Sequence, residues 1–79
     1  MNLGSLVKLQ LPLLSTSFQG SNEDETDIVW DGNSRVIPDD VMVYLGEEIN
    51  RVRVMARVFH PRFNRVGYVN AAHLCEVLQ

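Results

Sequence analysis

The sequence predicts an all-β fold, a small and strongly bent barrel of five to six strands. Three observations carry this. The stretch RVRVMARVF, residues 51–59, alternates with a period of two: Val52, Val54, Ala56 and Val58 share one side, and Arg51, Arg53, Met55, Arg57 and Phe59 the other. That period belongs to a strand with one face in a core. Short apolar runs then recur about every ten residues, separated by turn-forming clusters, as in sandwiches and barrels. Finally, 79 residues allow one domain, and at that size one curled sheet is more economical than two packed sheets.

The elements follow in order. LGSLVKLQL, residues 3–11, places Leu3, Val7, Leu9 and Leu11 on one side and Lys8 and Gln10 on the other, a first strand that Pro12 ends. Residues 12–37 form a long first loop with a hairpin insertion. Within it, STSFQGSNEDETD (15–27) has the composition of an exposed loop, with Phe18 folding back as an anchor. Ile28–Trp30 runs into Asp31-Gly32-Asn33, residues that accept the positive φ of a tight hairpin turn. Ser34 to Ile37 is the returning arm, Pro38-Asp39-Asp40 a second turn, and Val41 to Leu45 a second apolar strand. GEEIN (46–50) leads into the arginine strand, His60 to Asn64 is a turn, and Arg65 to Val69 the next strand. Asn70 to Leu74 suits a 3-10 turn, and Cys75 to Leu78 a last short strand.

Composition narrows the functional classes. No apolar run approaches the roughly 20 residues that cross a bilayer as a helix. Lys8 and Gln10 interrupt the apolar start, so no signal peptide is expected, and a reduced cytoplasmic setting without membrane contact is. Cys75 is the single cysteine, so no internal disulfide supports the fold, and its neighbours Leu74 and Val77 mark it as a small core residue. The net charge of −3 is unevenly spread. Residues 1–50 hold Lys8 and Arg35 against nine acids, a net of −7, and residues 51–79 hold five arginines against Glu76, a net of +4. Overall acidity argues against non-specific nucleic-acid binding by the whole molecule, while the basic half keeps a local anion or RNA patch open.

Little in the sequence points to catalysis. Cys75 and His73 lie two apart, a spacing that joins them on one side of a strand but not in a 3-10 turn. His60, before Pro61, reads as a turn residue. The histidines and Cys75 have no zinc-ligand spacing, and the acidic cluster Glu23, Asp24, Glu25 and Asp27 lacks the pattern of a calcium loop. No glycine-rich phosphate loop is present. The pairs Asp39-Asp40 and Glu47-Glu48 fall in turns and read as solubilising. The expectation is a protein that is not an enzyme and uses no metal or cofactor.

Residues 38–77 resemble the later strands of an SH3-like barrel: strand, short turn, long strand, short turn, strand, 3-10 turn, short strand. Gly67-Tyr68-Val69 followed by Leu74 is similar to the Gly-Trp/Tyr-Val-x-x-x-x-Leu ending of bacterial SH3-type domains. The resemblance implies an SH3-like barrel whose long first loop is 12–37. It does not extend to the Ala-Leu-Tyr-Asp-Tyr segment or the paired aromatics with which signalling SH3 domains hold proline-rich peptides. The Sm-like fold, another bent five-stranded barrel that assembles into rings and often binds RNA, is the alternative relative. Its Asp-x-x-Asn and Arg-Gly motifs are not evident here.

The outward side of the arginine strand supplies the candidate site. With Val41, Val43 and Leu45 inward, Met42 and Tyr44 stand outside beside Arg51, Arg53 and Met55, with Arg57 on the same side of its strand; Phe63 and Tyr68 extend the surface, with Arg62 and Arg65 at its rim. Arg, Tyr and Met are enriched at protein interfaces, and arginine pairs with carboxylates or phosphates and stacks on rings. The opposite assignment, with Met42 and Tyr44 in the core and the valines half exposed, stays open, because bent strands bury parts of both faces. The expected function is a non-catalytic interaction module that binds protein partners and self-associates as a homo-oligomer. The alternative is an RNA- or DNA-binding barrel using the same arginines with Tyr44 or Phe63 for stacking.

Overall fold

A computed structural model describes residues 1–21, 28–29, 34–50 and 53–77. It is all-β. Five strands form one antiparallel sheet in the order β8-β7-β6-β1-β9: β1 Leu6–Leu9, β6 Val41–Asn50, β7 Arg53–His60, β8 Arg65–Asn70 and β9 Leu74–Glu76. The long first loop carries two small ladders, β2 (Thr16–Ser17) with β5 (Arg35–Val36) and β3 (Gly20–Ser21) with β4 (Ile28–Val29). A 3-10 turn, Ala71–His73, precedes the last strand, and the Asn70 side chain caps it by accepting from the Ala72 N–H at 3.0 Å. The sheet bends but does not close on itself. Its β8 edge is met by the first loop, where Gln19 and Tyr68 exchange backbone hydrogen bonds of 2.8 and 2.7 Å. The expected turn Asp31–Asn33, the acidic cluster 23–27, Arg51 and Val52 lie outside the described residues.

The bend sits in β6. Its register on β7 shifts between Tyr44 and Glu47, and Gly46 there has φ +120, a conformation that favours glycine. A second left-handed residue, Asn64 at φ 52, closes the turn from Pro61 with an N–H···O bond of 3.1 Å to the Pro61 carbonyl; asparagine tolerates this region better than most residues.

The core holds Val7 and Leu9 of β1, Phe18 and Val36 of the first loop, Met42 and Tyr44 of β6, Ala56 and Val58 of β7, Val69 of β8 and Leu74 of β9. Phe18 is the anchor that the loop sequence suggests, and it reaches far enough in to lie on Gly67. A Cβ at Gly67 would collide with the Phe18 ring and stand 2.7 Å from the Gln19 carbonyl oxygen.

Several side chains stand opposite to their expected places. Met42 and Tyr44 are buried, while Val41 is exposed and Val43 and Leu45 are half-buried. The register forces this: Tyr44 pairs with Val58, paired residues share a face, and Val58 is in the core. Met55 is buried as well, next to buried Ala56, so β7 is covered on both sides there. Val54, expected inside, is 43% exposed because the β6–β7 ribbon runs on beyond the core, where Ile49 pairs with it. Leu3 and Leu11 are exposed, since β1 pairs only over Leu6–Leu9. His60 is fully buried at the end of β7 and is not a solvated turn residue, and Cys75 is half-buried.

Candidate interaction surface

Antiparallel registers line up an apolar row across the outer face of the sheet. Leu6 pairs with Val43, Val43 with Phe59, and Phe59 with Val66. Each lies next in sequence to core residues (Val7, Met42 and Tyr44, Val58 and His60, Gly67), so the alternation of a strand turns all four outward. Leu6 and Val66 are each 38% exposed, and Val43 and Phe59 are half-buried. Val77, whose N–H donates to the Leu6 carbonyl at 2.9 Å, continues the row beyond β1. Val41, two residues from Val43 and 42% exposed, broadens it. Two cations border the row: Lys8, opposite Val41, and Arg57, two residues before Phe59 and opposite Tyr68.

The sequence-predicted site residues are dispersed by the fold. Met42, Tyr44, Met55 and Tyr68 are buried and leave the site. Burial raises the Tyr44 phenol above its ordinary pKa, and the Glu47 charge adds to this. Arg53 is exposed on the ribbon opposite Asn50. Arg62, Phe63 and Arg65 belong to a different cluster around the β7–β8 turn. The Arg62 guanidinium donates from Nε to Asp40 Oδ1 (2.9 Å) and from Nη2 to Asp40 Oδ2 and the Arg35 carbonyl (2.8 Å each). It also covers the Phe63 ring at 4.4 Å, while Phe63 stacks on His60 with centroids 4.1 Å apart. Arg65 lies 5.2 Å from the Phe18 ring centroid and donates to the Ser34 hydroxyl at 2.8 Å.

Asp40 is the centre of that cluster and is buried, which corrects its reading as a solubilising turn residue. Besides Arg62 it accepts the Ile37 N–H at 3.0 Å, and His60 Nε2 lies 2.9 Å from its Oδ2, close enough for an ion pair though not aligned as a hydrogen bond. The Arg62 hydrogen bonds hold the Asp40 carboxyl well below the usual carboxylate range against the opposing effect of burial, with smaller help from the Ile37 N–H and His60. An Asp–His pair suggests a general base. Here, however, His60 Nδ1 accepts the Phe63 N–H at 3.3 Å, Nε2 faces Asp40, and the ring is fully buried. Neither nitrogen can reach a substrate, so the cluster pins the turn to the start of β6. The second nucleophile-like pair, Thr16 Oγ1 with His73 Nδ1 at 2.8 Å, has its hydroxyl buried and ties the first loop to the 3-10 turn.

Among the described residues no three His, Cys, Asp or Glu side chains are grouped to hold a metal ion. Among the described residues no helix is long and apolar enough to cross a membrane. The chain matches no protein-family model, curated protein or solved structure with which it was compared. Sequence reading missed Leu6, Val41, Val43 and Val66 as surface residues. Only Phe59, on the arginine side of its strand, signalled the row.

Proposed function

We propose that the chain is a non-catalytic interaction module that binds protein surfaces, and that its own copy is the first of these. The apolar row Leu6–Val43–Phe59–Val66 carries the proposal. Contiguous exposed apolar patches of about 300–600 Å² on a monomer often mark interaction sites. A row spanning four strands and widened by Val41 supports that reading.

Solution mass by light scattering, at low and high salt, tests this. An apolar contact predicts a multiple of the 9.0 kDa chain that persists in high salt, because salt screens charges without weakening apolar burial. Val66→Glu, which places a charge in the row at an exposed position, returns the mass to that of one chain. A chain that is monomeric at every concentration refutes self-association. If that monomer bound RNA with an affinity falling steeply in salt, the arginines would take over the role of the row.

A further inference from the structure

We propose that Ser15 is a phosphorylation site and that Arg35 is the receptor for its phosphate. The proposal does not depend on the self-association above. The exposed Arg35 guanidinium turns the edge of its fork to two serine hydroxyls. It donates from Nη2 to Ser15 Oγ at 2.8 Å and from Nη1 to Ser17 Oγ at 3.1 Å. The β2–β5 ladder sets this arrangement by pairing Ser17 with Arg35. Arg35 thus carries a full charge beside neutral hydroxyls. Among the described residues no carboxylate lies within ion-pair distance of it, and the buried Asp40 carboxylate is taken up by Arg62 and His60. A guanidinium fork is matched best by an oxyanion that accepts from both of its arms. A phosphate on Ser15 supplies one. It would be bonded to an oxygen already beside Nη2, so its own oxygens reach the fork with no movement of the backbone.

Access separates Ser15 from Ser17. Ser17 belongs to β2 and stands between Thr16 and Phe18, both buried, so an enzyme could take it only by drawing Phe18 out of the core. Ser15 precedes the ladder. Leu11, Pro12 and Leu14 ahead of it are exposed, and residues 13–15 pair with no strand. A kinase would transfer the terminal phosphoryl group of a nucleoside triphosphate. The bond from Ser15 Oγ to phosphorus forms, the bond from phosphorus to the departing diphosphate breaks, and the hydroxyl proton leaves to the kinase's base. The exposed Arg35 side chain swings aside for the transfer and closes on the product. The phosphate adds a charge of about −1.5 to −2 at neutral pH and three acceptor oxygens. The result is a charge-assisted tie from the start of the first loop to β5, which seats the loop more firmly.

Two measurements test the site and its receptor. Phosphoserine is installed at position 15 during translation, and its thermal melt is compared with that of the unmodified chain. A rise of a few degrees is expected for an exposed pair. The second phosphate ionisation lies near about pH 6. Pairing with Arg35 lowers it in the folded chain, so the rise is present above that pH and fades as pH falls. It also shrinks in high salt. The rise vanishes in Arg35→Gln, while Arg35→Lys, which keeps the charge but not the fork, retains part of it. Unmodified Arg35 variants are melted alongside to show that each folds, and the comparison rests on Arg35→Lys if Arg35→Gln does not. A phosphoserine that leaves the melt unchanged, or raises it equally without the Arg35 fork, overturns the receptor. The site is read by mass spectrometry of the chain isolated from its own cells with phosphatases inhibited. One added phosphoryl group on Ser15, absent from Ser15→Ala, is expected. A chain that carries none, or carries it on Ser17 with Ser15 bare, overturns the assignment.

Discussion

Replacing Gly67 by alanine tests how tightly the first loop is seated on the sheet. The added Cβ would collide with the Phe18 ring and come within 2.7 Å of the Gln19 carbonyl oxygen. Neither neighbour can give way easily. Phe18 is fully buried, with its ring in contact with His60 and Phe63 at centroid distances of 5.3 and 5.1 Å. Gln19 is held to Tyr68 by two backbone hydrogen bonds. Overpacking of a close-packed core costs typically about 1–3 kcal/mol, and a site confined by backbone as well as a buried ring belongs at the upper end. At roughly 4–8 °C per kcal/mol for a domain of this size, Gly67→Ala lowers the melting temperature by about 12–24 °C. The assay is a thermal melt followed by circular dichroism, with Phe18→Leu/Gly67→Ala as the paired variant. Shortening the ring relieves one clash and not the other, so the double variant recovers part of what Gly67→Ala loses once the cost of Phe18→Leu alone is subtracted. A Gly67→Ala protein that melts with the wild type would show that the loop does not seat on β8 as described.

Three further outcomes follow from the corrected faces and the Asp40 cluster. Val58→Asp buries an unpaired charge and abolishes folding, read as loss of the cooperative melt, whereas Val54→Asp, on the projecting ribbon, shifts the melt by only a few degrees. Asp40→Asn removes the carboxylate that accepts from Arg62 and costs roughly 1–3 kcal/mol at neutral pH, measured by urea denaturation. Because the folded carboxyl is held below its unfolded value of 3.8, its contribution is fully present above that pH and is lost as pH falls further. The stability gap between wild type and Asp40→Asn therefore narrows on acidification below about pH 4, and a gap that stays constant down to pH 2 would contradict the assignment.

The sequence made the main strands legible because alternation and turn chemistry are local, but β6 runs on through Glu47 and Glu48, which read as a turn, and β2 and β3 lie where an exposed loop was expected. It also exposed Phe18 as an anchor, since one large apolar residue stands alone in a polar loop. It left the facing of β6 undecided, because VMVYL is apolar on both sides and periodicity alone cannot choose between Val41, Val43 and Leu45 on one side and Met42 and Tyr44 on the other. The choice was made by pairing with Val58, on another strand. Asp40 reads as a solvated turn residue for a similar reason. Two adjacent aspartates in a turn have the composition of a solvated loop, and its main partner, Arg62, lies 22 residues away in sequence. Met55 reads as outward by parity, yet lies in a part of β7 buried on both faces. The apolar row became visible only through three strand registers read together.

The most direct test of that row is a dilution series followed by the methyl resonances of the wild-type chain. Self-association through the outer face predicts that the methyls of Leu6, Val41, Val43 and Val66 shift with concentration, while Val58 and Val69, buried in the core, and Val54, on the projecting ribbon, hold still. Resonances that do not move at any concentration, or that move at Ile49 and Val54 and not along the row, would contradict the account.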